Sequence, residues 1–181
     1  MTGATDPTAP PSPSERDEIL AIHAKHRGLF LLTVKGLTDE QARLAPTVSA
    51  LSAGGLVKHV AATVASWLDF VEHGAPEPDG IDWSNPDPAL LEARADEFRL
   101  VEGETLDGAL AAYGSVSERL ESLVGSVDLD EVHAVPSAPW FTPGEVWSNR
   151  RVLMHVLAET AQHAGHADIL RETIDGQRSM G

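Results

Sequence analysis

RVLMHVLAETAQHAGHADILR, from Arg151 to Arg171, reads as one uninterrupted helix, since it holds no proline and a single glycine, Gly165. At about 100° per residue, His155, Glu159, His163 and His166 fall within an arc of roughly 80°. Val152, Val156 and Leu170 share that stripe, and Leu153, Leu157 and Ile169 widen its apolar side. The face that carries three imidazoles and a carboxylate is therefore also a face that must be buried. An unpaired polar group in a core costs roughly 2–7 kcal/mol, so the stripe demands a chemical reason.

The chain around this helix has 181 residues, enough for one domain with a substantial core, and 42% of them are hydrophobic. The net charge of −15 argues against nucleic acid and anionic membranes as partners, because both select basic patches. Cysteine is absent, which excludes a disulfide framework and a protein thiol nucleophile; any sulfur chemistry must use a thiol brought by a substrate or cofactor. No basic segment followed by an apolar run opens the chain, and no apolar stretch approaches the length of a membrane span. The cytoplasm is the expected compartment.

Residues 1–13, rich in proline and threonine, read as a disordered tail, and the domain is expected over 14–176, with 177–181 frayed. Ser14 is the expected N-cap of a first helix running to Lys35 and stopped by Gly36. Thr38 to Gln41 forms a capping box for a short helical turn that Pro46 closes. A second long helix is expected over Gly55–Glu72, capped by Ser52, with Leu56, His59, Val60, Thr63, Trp67 and Phe70 along one side. The proline-rich stretch from Gly74 to Pro88 leads into a helical segment reaching Phe98, and a third long helix follows over Thr105–Val124. Ser126 to Pro143 is a second long connection carrying His133, Trp140 and Phe141, and the last helix is expected from Pro143 to Gly176. Four long amphipathic helices with two long connections describe an all-α four-helix bundle.

Imidazole and carboxylate suit zinc and similar transition metals. Glu159 and His163, one turn apart, meet on one helix face, and His59 comes from a facing helix. Three protein ligands leave an open coordination position, the mark of a catalytic rather than a structural site. Spacing alone also suits a surface ion pair, and it leaves open whether His155 or His166 replaces one of these ligands.

Two segments, SALSAGGLVKH (Ser49–His59) and HVLAETAQHAGHADILRETIDG (His155–Gly176), resemble the DinB/YfiT-like superfamily, and within it the branch related to mycothiol-dependent maleylpyruvate isomerase and mycothiol S-transferases. The resemblance extends from about Glu15 to Gly176. It implies a four-helix bundle in up-down-down-up order, often a homodimer. It also implies a metal held by His59, Glu159 and His163. Many members have histidine at the first position of the last pair; Glu159 stands there in this chain, as in the isomerase relatives.

The activity so implied is transfer of a small thiol such as mycothiol to a small electrophile, or an isomerisation using that thiol, with zinc lowering the thiol pKa. His155 and His166 are then expected as catalytic groups, either orienting ligands or carrying protons. Tyr113 and Trp140, with Trp83, are expected to line the cofactor pocket, while Arg150 and Arg151 are read as a solvated helix start or contacts for an anionic substrate. Two other readings stand beside this one: hydrolysis of a small amide or ester by metal-activated water, and a non-catalytic metal-binding bundle.

Overall fold

The computed structural model describes residues 12–76 and 81–179. The expected tail therefore lies, over residues 1–11, outside the described residues. Helix α1 (Glu15–Val34) opens on a full capping box: Ser14 accepts from the Asp17 amide and the Asp17 carboxylate accepts from the Ser14 amide. Thr38 and Gln41 repeat the device for α2 (Asp39–Arg43). Ser52 caps α3 (Ala53–His73), Asp87 caps the short α4 (Pro88–Asp96), Thr105 caps α5 (Leu106–Ser126), and Ser148 caps α6 (Asn149–Asp175). Gly176, in the left-handed region at φ 79°, ends α6.

Helices α1, α3, α5 and α6 form the bundle, and cross-links at their ends give their directions. Arg150 at the start of α6 pairs with Glu15 at the start of α1, while Arg171 near the end of α6 donates to the Thr33 and Lys35 carbonyls at the end of α1. These two helices are therefore parallel. Arg16 at the start of α1 donates to the Val124 and Val127 carbonyls at the end of α5, so those two are antiparallel. Lys58 meets Glu104 near the starts of α3 and α5, and Arg119 meets Asp69 and Glu72 towards their ends, so they are parallel. The order is up-down-down-up, as expected. The core runs through Phe30, Leu56, Val60, Leu68, Val124, Leu153 and Val156, all nearly inaccessible.

A parallel α3–α5 pair needs a crossover, and residues 74–105 supply it. Its return stretch presses on the N-terminus of α3. A Cβ on Gly55 would stand 1.8 Å from the Phe98 carbonyl oxygen, and one on Gly54 2.5 Å from the Leu100 side chain. Lys58 secures the same stretch by donating to the Asp96 and Arg99 carbonyls.

The last helix starts six residues later than the expected Pro143. Val146–Ser148 (β2) pairs antiparallel with Val132–Ala134 (β1), with Trp147 opposite His133. This ribbon occupies the backbone that would have begun the helix. It is too short to show alternation in sequence. Beyond Gly176 the chain turns back: Gln177 accepts from Arg171 and the Ser179 amide donates to Asp168. Residues 180–181 of the stretch expected to fray lie outside the described residues.

Tyr113, expected at the cofactor pocket, is instead a core residue. It is 3% exposed and packs edge-on against Phe30 at 5.5 Å. Burial raises its pKa to about 12, with a smaller opposing effect from a hydrogen bond with Thr160.

Two predictions follow from this packing. Gly55→Ala should lose about 1–3 kcal/mol in urea denaturation, because backbone must move, whereas Gly28→Ala, in open space within α1, should gain up to about 1 kcal/mol. Tyr113 is the single tyrosine of the chain, so its phenolate absorbance titrates one group, with a midpoint near the raised value of about 12 in the folded protein. Since the folded pKa lies above the unfolded one of about 10, its contribution to stability is complete below the lower value. It falls as pH rises towards the upper one.

Candidate metal centre

Three side chains from two helices converge where α3 crosses α6. His59, Glu159 and His163 each offer a ligand atom, and these atoms lie within 4.8 Å of one another. Glu159 Oε2 is 3.5 Å from His163 Nε2, too far for a strong hydrogen bond and near enough for a shared ion. The His59 and His163 rings stand 4.9 Å apart at 76°. The i, i+4 spacing on α6 brings Glu159 under His163, and the crossing of α3 supplies the third donor.

The crossover positions His59. The Phe98 ring stacks on the His59 imidazole at 4.0 Å, and the Glu97 carboxylate is 3.7 Å from His59 Nδ1. That nitrogen is buried and has no hydrogen-bond partner among the described residues. On the other side, Thr63 Oγ1 is 3.4 Å from His59 Nε2. Glu97 and Phe98 escaped sequence reasoning because they sit almost forty residues from His59 with no spacing to signal the contact.

The protonation states suit a metal. Burial, followed by the nearby His163, lowers the His59 pKa and favours a neutral imidazole. The hydrogen-bonding influence of His163 lowers the Glu159 pKa against the effect of burial and favours the carboxylate. Both donors are thus held in the form that binds a cation. An orphaned buried imidazole nitrogen and a mixed nitrogen–oxygen donor set are what a zinc-type ion requires.

His155 and His166 flank this group on α6. His155 Nε2 is 3.7 Å from Glu159 Oε1, and its ring lies beside the Trp67 and Trp147 rings, edge-on to both at 4.9 and 5.1 Å. Burial lowers its pKa. His166 Nδ1 is 3.5 Å from His163 Nδ1. The structure therefore brings all five expected polar site residues together. Arg150 lies elsewhere and pairs with Glu15 and Asp130, whereas Arg151, paired with Glu145, lies over the Trp147 ring that meets His155.

A cleft of about 530 Å³ adjoins the group. Thr63 and Glu97 line it, and each also approaches a ring nitrogen of His59. Trp67, Phe141, Trp83 and Trp140 form much of its wall. Trp140 lines this cleft, and Trp83 stands against it at 4.8 Å.

The sequence profile of the mycothiol-S-transferase family matches residues 19–176. No curated protein matches the chain. Among solved structures, a conserved protein from Enterococcus faecalis aligns with a TM-score of 0.62 at 16% identity, covering 92% of this chain and 100% of its own. The colibactin self-resistance protein ClbS, solved in complex with a dsDNA, aligns with a TM-score of 0.59 at 17% identity, covering 90% and 98%. At these identities the likeness shows a shared fold.

Wild-type protein incubated with zinc and desalted should retain about one equivalent, an estimate from one three-ligand set. His59→Ala and Glu159→Ala should each retain almost none, while Trp140→Ala should match wild type. Elemental analysis reads the result, and retention in both ligand variants would place the metal elsewhere.

Proposed function

From the premise that the chain belongs to the mycothiol-S-transferase family, a DinB/YfiT-like family, we propose that it is a zinc-dependent enzyme that transfers a small thiol, mycothiol, through its sulfur to a small electrophile. The observation that carries the reading is the cluster of His59, Glu159 and His163 beside an aromatic cleft. A divalent metal held by these three residues supplies Lewis acidity that favours the thiolate form of an incoming thiol at neutral pH. The absence of cysteine from the chain agrees with a thiol that arrives from outside.

The residues of the chain have separate tasks in this reading. Phe98 and Glu97 fix the His59 ring from one side. His166 orients His163 through their facing Nδ1 atoms. His155, kept neutral by burial and facing Trp67 of the cleft wall, accepts the proton that leaves the thiol. The sulfur then forms a bond to the electrophilic carbon, and the leaving group departs with the electron pair of the bond it breaks. Aromatic walls hold the electrophile and keep bulk water from competing.

A small thiol and a small electrophile are the partners this arrangement suits. The net charge of −15 disfavours the phosphate backbone of nucleic acid, so the dsDNA of ClbS is not carried over to this chain. Among the described residues no helix is long and apolar enough to cross a membrane.

Zinc-loaded protein with mycothiol and chlorodinitrobenzene should release chloride and form the thioether faster than the uncatalysed mixture. His163→Ala should abolish the excess rate. His155→Ala should keep its metal and lose about 10–100-fold in rate. A rate equal in wild type and His163→Ala would overturn the proposal.

A further inference from the structure

The crossover places one cation at the mouth of the cleft. The Arg94 guanidinium carbon lies 5.3 Å from the Trp83 ring centre and 5.6 Å from that of Trp140, while the two indoles meet edge to face at 4.8 Å. Trp140 leaves 57% of its surface exposed, so its ring is open to a ligand in the cleft that it lines. No carboxylate among the described residues forms an ion pair with Arg94, although Asp and Glu outnumber Lys and Arg 28 to 13. The other arginines of the cleft's surroundings are occupied: Arg99 by Asp96, Arg119 by Asp69 and Glu72, and Arg151 by Glu145. Of the residues that line the cleft, Arg94 alone carries positive charge.

We infer that Arg94, steadied between Trp83 and Trp140, is the recognition point for a carboxylate on the electrophilic substrate, whose apolar or aromatic body fills the cleft towards the metal centre. Cation–π contact with the two rings uses no N–H donor, so the guanidinium keeps its planar fork for a carboxylate. The Trp67 and Phe141 rings then provide an apolar bed between Arg94 and His155. Mycothiol, an acetylated cysteinyl amide of an amino sugar joined to inositol, has no carboxylate, so the anion belongs to the electrophile and not to the thiol. The inference rests on the thiol-transfer reading for the role of the ligand, but the binding it names can be measured without turnover.

The experiment is calorimetric titration of the zinc-loaded full chain with naphthoate and, separately, with uncharged naphthamide. Wild type should bind naphthoate at least about tenfold more tightly than naphthamide, equivalent to about 1.4 kcal/mol. Arg94→Gln should lose that preference while keeping its zinc content and melting temperature, and Arg94→Lys should recover only part of it. Trp140→Leu should weaken both ligands. An equal affinity for the two ligands in wild type would overturn the inference. So would a preference that survives in Arg94→Gln and disappears on removing zinc, since the carboxylate would then sit on the metal. A carboxylate preference that depends on Arg94 in a protein without thiol-transfer activity would uphold the subsite and sink only the transferase reading.

Discussion

Gly55 has no space for a side chain. The Phe98 carbonyl occupies the place where a Cβ would stand, and the geometry of the site depends on that contact. Parallel packing of α3 and α5 forces the chain to travel back along the bundle, and the returning stretch must lie against the first turn of α3. Because Gly55 lets backbone approach backbone and Gly54 leaves room for the Leu100 side chain, Phe98 reaches the His59 ring and Glu97 reaches its Nδ1 side. Lys58, one residue before His59, then ties down the Asp96 and Arg99 carbonyls. A constraint imposed by topology thus becomes an orientation of one imidazole.

Two kinds of buried polarity coexist in α6. Arg171 is 3% exposed, yet its guanidinium is satisfied by the Thr33 and Lys35 carbonyls, Asp175 and Gln177. It closes the end of the bundle and commits four of its five N–H donors there. The His59–Glu159–His163 group lacks such satisfaction: its separations are too long for strong hydrogen bonds, and one imidazole nitrogen is orphaned. Burial is costly for both, but only the second arrangement has unfilled capacity for a cation. The contrast separates a satisfied charge on α6 from a donor group that α6 shares with α3.

Aromatic side chains run from the neighbourhood of the His59–Glu159–His163 group to the surface. Trp67 and Trp147 stack at 4.9 Å and nearly parallel, with His155 edge-on to both. Phe141 meets each of these indoles edge-on, and Trp140 and Trp83 continue the wall outwards. The wall combines three chain regions: α3, the crossover, and the connection ending in β2. The two long connections and α3 therefore build the cleft, while α3 and α6 build the donor set beside it.

The reading of α6 from sequence was sound because helical periodicity is local: once Arg151–Arg171 is a helix, the positions of His155, Glu159, His163 and His166 on one face follow from backbone geometry. The caps at Ser14, Thr38 and Ser52 were legible for the same reason, since each bonds within three residues. His59 as the partner of Glu159 and His163 rested on a family resemblance as much as on spacing. What lay outside local sequence was every contact made across the crossover and the ribbon. The burial of Tyr113 against Phe30 depends on which face of α5 meets α1, and periodicity identifies a face without naming its neighbour. The late start of α6 depends on three residues pairing with a strand fourteen positions away. Sequence determined the bundle and the imidazole face, because helical order and capping are short-range; tertiary structure decided which side chains surround that face, because packing between distant segments has no local code.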